Sequence, residues 1–102
     1  MNILLVCAAG MSTSLLVTRM EESAKQKNIT AHIEAHPVGD IEKYGHQADV
    51  ILLGPQVRYQ LHAVKKEYPN KPVEVINMQD YGMMNGEKVL NYALSLLKED
   101  EK

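Results

Sequence analysis

The stretch Ile3-Leu4-Leu5-Val6-Cys7-Ala8-Ala9-Gly10-Met11-Ser12-Thr13-Ser14 decides the fold. Consecutive large apolar residues lead to a thiol, then to small residues, then to three adjacent hydroxyls. A continuous apolar run that stops at a Gly/Ser/Thr cluster reads as a strand covered on both faces. A sheet covered on both faces needs helices above and below it, so helical and strand signals are expected to alternate along the chain.

They do. Val50-Ile51-Leu52-Leu53, ending at Gly54-Pro55, reads as a second fully buried strand. From Thr30 to His36, Ala31, Ile33 and Ala35 alternate with His32, Glu34 and His36, the pattern of a half-exposed strand. Val73-Glu74-Val75-Ile76 is also only partly apolar. Leu16, Met20 and Ala24, widened by Leu15 and Val17, give a helical stripe that Ser12, Thr13 or Ser14 caps and Asn28 ends. Val57, Leu61, Val64 and Tyr68 give a second stripe, with Pro55 before it and Pro69 stopping it. Val89, Leu90, Ala93, Leu94 and Leu97 give a third, capped by Asn85, and Asp40 to Tyr44 suggests a short helical turn. Right-handed crossovers then produce an α/β fold: a four-stranded parallel sheet of order 2-1-3-4 with helices on both faces. Ligands of such sheets bind beyond the carboxyl ends, at the switch between strands one and three, where position 7 lies.

The chain has 102 residues, read as one domain spanning 1–102, enough to bury roughly 65% of its unfolded surface. Hydrophobic residues make up 45% and charged ones 24%, which excludes disorder as the main state. A net charge of −2 argues against a nucleic-acid surface. One cysteine excludes a disulfide framework, a four-cysteine zinc site and an intramolecular CxxC pair. The longest apolar run, Ile3 to Met11, is far short of the about 20 residues of a membrane span. A lone thiol with no basic residue before Arg19 suits a reducing cytoplasm.

The chemistry concentrates after the first strand. Small side chains at Ala8, Ala9 and Gly10 let the backbone turn tightly and aim successive N–H groups inward, an anion nest. The following helix N-terminus adds positive potential, and Ser12, Thr13 and Ser14 add hydroxyl donors. The same field favours the thiolate of Cys7 over the thiol, and a thiolate beside a phosphate-shaped nest is a phosphoryl acceptor. The alternative is a buried, inert cysteine. The nearest chemical template is the cysteine phosphatase loop, Cys, five residues, then Arg. Here Thr13 stands in the Arg position, and neither Arg19 nor Arg58 is in the loop. Without a bidentate clamp and a placed acid or base, water attack on a phosphocysteine is slow, so the sequence points to a carrier more than a hydrolase.

Residues 7 to 17, Cys7-Ala8-Ala9-Gly10-Met11-Ser12-Thr13-Ser14-Leu15-Leu16-Val17, resemble the start of the EIIB component of the sugar phosphotransferase system, lactose/cellobiose (chitobiose) family. Segments 48–57 (ADVILLGPQV) and 70–76 (NKPVEVI) match that family too, and 81–86 (YGMMNG) matches more loosely. The resemblance runs from about residue 2 to residue 97, with no departure in the loop and no family motif between His32 and Gln47. It implies a fold similar to low-molecular-weight tyrosine phosphatases. It implies that Cys7 accepts a phosphoryl group from a phosphohistidine of EIIA and passes it to a disaccharide held by membrane EIIC. Residues 8 to 14 then cradle the phosphoryl oxygens, with no metal and no cofactor. Two other readings stand beside it: a small cysteine-dependent phosphatase, and a flavodoxin-like module holding a cofactor phosphate.

Other candidates have plainer explanations. His32 and His36 on a strand are about 13 Å apart at about 3.3 Å per residue, too far to share one zinc. They read as a solvated edge face, and His46 and His62 as surface histidines. Asp80 before Gly82 reads as a turn aspartate, with a general-acid role as the alternative. Gln56 and Tyr81 sit on segments that follow strands, on the same rim as Cys7. Lys65 and Lys66 read as a solvated helix face. Met11, Met83 and Met84 suit either core filling or an adaptable docking surface. A monomer is expected, for want of a large exposed apolar stripe.

Overall fold

The apolar runs form strands because both of their faces are covered. A computed structural model describes residues 1–8 and 14–100, with the backbone alone at 99 and 100. Strand β1 (Asn2–Cys7) is buried from Ile3 to Cys7, and β3 (Val50–Leu53) is buried throughout. They lie side by side and parallel, Ile3 opposite Val50 and Val6 opposite Leu53. Strand β2 (His32–Pro37) pairs with the other edge of β1, and β4 (Val73–Val75) with the outer edge of β3. The order β2-β1-β3-β4, all parallel, is the one the hydrophobic patterns predict.

Successive side chains of a strand point to opposite faces, so each buried strand feeds two cores. Ile3, Leu5, Val50 and Leu52 face helix α1 (Ser14–Gln26) and a long C-terminal helix, meeting Leu16, Met20, Val89, Leu90 and Ala93. Leu4, Val6, Ile51 and Leu53 face the opposite layer, meeting Ile41, Val57, Val64 and Tyr68. Each such aliphatic side chain contributes roughly 1.5–3 kcal/mol by leaving water.

The short turn expected at Asp40 to Tyr44 is longer. A 3-10 turn at Val38–Asp40 leads into α2 (Ile41–Tyr44), and another at Gly45–Gln47 follows. Its last carbonyls are closed by Lys71, whose ammonium donates to Gly45 O at 2.8 Å, His46 O at 3.2 Å and Ala48 O at 2.8 Å. Of the second helical stripe, Val57, Val64 and Tyr68 are buried and Leu61 half-buried, but only its second half is α-helix, α3 (Leu61–Glu67). Pro55–Gln60 is 3-10, broken at Val57 (φ −116°, ψ 21°), whose 1% exposed side chain plugs the core end and holds the backbone out of helical register. The stretch at Asp80, expected as a turn, is a five-residue helix, α4 (Met78–Gly82). Asn77 caps it, its Oδ1 accepting from the N–H groups of Gln79 and Asp80 at 2.9 and 3.1 Å. Helix α5 (Gly86–Asp100) carries helical backbone past the apolar stripe into the charged residues from Lys98. Asn85 caps it as expected, accepting from Lys88 N–H at 3.1 Å. Asn28, expected to end α1, does so with φ 57°, a conformation asparagine tolerates. Among the described residues, no helix is long and apolar enough to cross a membrane.

Helices α1 and α5 touch backbone to backbone at Gly86. A Cβ there would lie 2.5 Å from the Arg19 carbonyl carbon and 2.6 Å from the Met20 nitrogen, neither of which belongs to a side chain that can turn aside. Gly86→Ala is expected to destabilise the fold by about 1–3 kcal/mol, read as a lowered urea midpoint at unchanged m-value. An unchanged midpoint would show that the two helices separate freely.

Candidate functional site

Cys7 is the last residue of β1, opposite Pro37 of β2. It is buried, 4% exposed, and unpaired with any other sulfur, being the sole cysteine. Its Sγ donates to the His36 carbonyl at 3.7 Å, so the neutral thiol has an acceptor in the next strand. Neighbouring strands flank both edges of β1 and packed layers cover both faces, which leaves this sulfur at the carboxyl rim of the sheet. Of the predicted phosphoryl cradle, Ala8 is half-buried against the Val6 side of the core, and Ser14 opens α1, exposed, its carbonyl accepting from Thr18 Oγ1 at 3.0 Å. Ala9, Gly10, Met11, Ser12 and Thr13 lie outside the described residues, as does any cap supplied by Ser12 or Thr13.

The rim beside Cys7 is assembled by Gly54. Its N–H donates to Val6 O at 2.7 Å, tying the exit of β3 to the last turn of β1. A Cβ at this position would stand 3.0 Å from Gln56 Oε1 and 3.5 Å from both the Tyr81 ring and Val6 O. The missing side chain therefore lets the Gln56 amide and the Tyr81 ring close in on the backbone just before Cys7. Tyr81 belongs to the core on the same sheet face as Ile3 and Leu5, the face to which Cys7, two residues further along, also turns. It is 5% exposed, and its hydroxyl has no hydrogen-bond partner among the described residues. Burial pushes its phenol pKa up, and the negative charge of a Cys7 thiolate adds to the rise.

The remaining candidates are arranged differently. Asp80 turns its carboxylate toward Lys88 of α5, Oδ1 to Nζ 4.0 Å. Arg19 donates through Nη1 to the carbonyls of Met83 and Met84 at 3.3 and 3.1 Å, which holds the turn where Met84 takes φ 52°. Arg58 lines a groove of about 520 Å³ with Pro55, Gln56, Tyr59 and Met78. Met83 is 64% exposed, whereas Met84 packs against the core, as the core-filling reading expects. His32 and His36 each approach a different oxygen of Glu34, at 3.1 and 3.4 Å. No group of three metal-ligating side chains occurs among the described residues. His36 is less solvated than its edge position suggested, because its ring stacks on Tyr44 at 3.5 Å between centroids. Lys65, one of the two lysines read as solvated, meets Glu74 on β4 at 3.3 Å. Residue reading placed Tyr81 on the rim without giving its hydroxyl a task. The signal was present in Asn77 three residues before Asp80, a cap and first-turn acid that announce a helix over Tyr81.

Comparison with known proteins finds relatives over nearly the whole chain. The family model described as "PTS system, Lactose/Cellobiose specific IIB subunit" matches residues 2–92. The galactose-specific EIIB component of Lactococcus lactis subsp. cremoris is 45% identical over 102 residues, covering 93% of this chain and 94% of that protein. The cellobiose-specific EIIB component of Lactococcus lactis subsp. lactis matches at 45% with the same coverage. The oligo-beta-mannoside-specific EIIB component of Bacillus subtilis is 43% identical, covering 94% of this chain and 95% of that protein. The solution structure of a cellobiose-specific IIB component from Borrelia burgdorferi superposes with TM-score 0.82 at 47% identity, over 98% of this chain and 94% of that one. A lactose-specific IIB domain from Streptococcus pneumoniae shares the fold, with TM-score 0.83 at 19% identity, over 94% of this chain and 96% of that one.

Two buried phenols make the molecule sensitive to alkali. The pKa of Tyr68 is raised by burial, then by Glu67 and Glu42; that of Tyr81 is raised by burial, then by Cys7. The native state holds both protons above the ordinary phenol value of 10.0, where the unfolded chain releases them. Their contribution is therefore intact below that pH, and stability falls as pH rises through it. Cys7→Ser removes one of the two causes acting on Tyr81, so its phenol, followed by NMR of labelled tyrosine, is expected to ionise at lower pH. An unmoved titration would show that the two groups do not sense each other.

Proposed function

The chain belongs to the lactose/cellobiose IIB family of the sugar phosphotransferase system, and from that premise we propose that it is a phosphocarrier whose Cys7 takes and returns one phosphoryl group in each cycle. IIB components of this kind are sugar phosphotransferases that work with an EIIA protein and a membrane EIIC component. The observation that carries the reading is the position of Cys7: the sole thiol of the chain ends the central strand at the β1/β3 switch, where open α/β sheets bind their ligands.

In the proposed cycle the Cys7 thiolate attacks the phosphorus of a phosphohistidine on EIIA. The S–P bond forms, the N–P bond breaks, and the electron pair of that bond stays on the imidazole. Residues 8 to 14 surround the three phosphoryl oxygens with backbone N–H groups and the hydroxyls of Ser12, Thr13 and Ser14. A hydroxyl of the sugar held by EIIC then attacks phosphorus. The S–P bond breaks, the sulfur leaves as thiolate, and the hydroxyl proton passes to a base at the sugar site. Placement and charge stabilisation suffice for both transfers.

The sugar is a disaccharide of the cellobiose, chitobiose or lactose class. Relatives of nearly equal identity carry the names of three different sugars, which agrees with sugar recognition outside this chain. Both partners meet the carboxyl rim, where Leu15, Tyr59, Met78 and Met83 are exposed on the segments that follow β1, β3 and β4. The carrier works as a cytoplasmic monomer that visits EIIC transiently, through small contacts that release quickly.

Intact mass after incubation with phosphorylated EIIA tests the proposal. The native chain is expected to gain one phosphoryl group, and folded Cys7→Ser none. A phosphoryl adduct on both proteins would move the acceptor to another residue. An adduct on neither, with an active donor, would overturn the carrier reading.

A further inference from the structure

A buried hydroxyl with nothing to bond is costly in the resting protein, because phenylalanine fills the same space without leaving a desolvated donor behind. Tyr81 carries such a hydroxyl, while its ring lies against Gly54 beside the Val6 carbonyl. The other buried side-chain hydroxyl without a partner among the described residues, Ser23, lies on α1 facing the groove lined by Gln26 and Gly86. Cys7 has the complementary need. Its thiol proton has an acceptor in His36 O, but once that proton leaves, this carbonyl presents partial negative charge to an anion. A thiolate requires donors. Among the described residues, an unspent donor on its own sheet face is the Tyr81 hydroxyl, and burial together with the Cys7 charge keeps that hydroxyl protonated.

We propose that the Tyr81 hydroxyl is a catalytic hydrogen-bond donor to the Cys7 sulfur, engaged when the sulfur is anionic before attack and again when it leaves phosphorus. The proposal rests on the carrier reading of Cys7. It adds a side-chain donor from α4, on the far side of the sheet order from the loop that follows β1. No proton is transferred: Tyr81 stays a phenol throughout, and the S–P bond forms or breaks with the sulfur charge partly held by the O–H dipole. It also gives the strained turn at Met84 a purpose. Arg19 bonds the Met83 and Met84 carbonyls and so fixes the end of α4, and with it the ring of Tyr81.

Tyr81→Phe tests this. Alkylation of Cys7 by iodoacetamide at neutral pH is expected to slow about tenfold, and the single-turnover rate of phosphoryl transfer from phosphorylated EIIA to fall by a similar factor at unchanged half-saturation. The melting temperature should hold or rise, since an unsatisfied donor is removed. A purely structural hydroxyl would instead lower the melting point and spare both rates. Wild-type rates in a folded Tyr81→Phe chain would overturn the proposal. They would leave the carrier reading intact if Cys7→Ser still abolishes the adduct, while a native chain that takes no phosphoryl group would sink the carrier reading itself. Should Tyr81→Phe fail to fold, the native chain decides: the Cζ resonance of labelled Tyr81 must shift when Cys7 is phosphorylated, and an unmoved resonance overturns the contact.

Discussion

Strand β1 is hydrogen-bonded along both edges and packed on both faces, and the other features of the rim follow from that enclosure. Of the two ends such a strand keeps, the carboxyl one carries Cys7 and lies at the β1/β3 switch. The Gly54 N–H to Val6 O bond extends the enclosure by one more residue and brings the exits of β1 and β3 together. Gln56 and Tyr81 are positioned by the space that Gly54 leaves empty. Cys7 is thereby held at the end of a strand paired along both edges, not on a loop.

Hydrophobic periodicity carried most of the architecture into the sequence. The runs Ile3 to Val6 and Val50 to Leu53 announced two doubly covered strands, and the alternation around Ile33 announced an edge. Strand order, parallel sense and the place of Cys7 followed from those runs and the handedness of crossovers. What was not legible had local causes. Val57 fits the helical stripe by spacing, but its side chain is drawn into the end of the core and the first half of that helix tightens to 3-10. The helix over Tyr81 is five residues long, too short for any periodicity to declare it, and rests on the Asn77 cap. The Lys71 ammonium, which closes three carbonyls of the 45–48 turn from a distant loop, has no signature in the sequence near that turn.

The candidate site was legible as to residue and less so as to surroundings. A thiol after a buried strand, followed by small residues and three hydroxyls, marks Cys7 and residues 8 to 14 as the candidate nucleophile and cradle by composition. The partners that reach it from elsewhere in the chain are set by tertiary contact. The His36 carbonyl comes from the neighbouring edge strand and the Tyr81 ring from beyond β4. The three relatives with different sugar names also fit the proposed division of labour, in which this chain would supply the sulfur and another component would recognise the sugar.

The central claim is that the phosphoryl group is carried on sulfur. Phosphorus-31 NMR of the native chain after transfer from phosphorylated EIIA tests it directly, because a phosphorus bonded to sulfur and one bonded to an imidazole nitrogen resonate in well-separated regions. The account predicts a single protein-bound resonance in the S-phosphate region. A protein-bound resonance in the phosphohistidine region instead would contradict it.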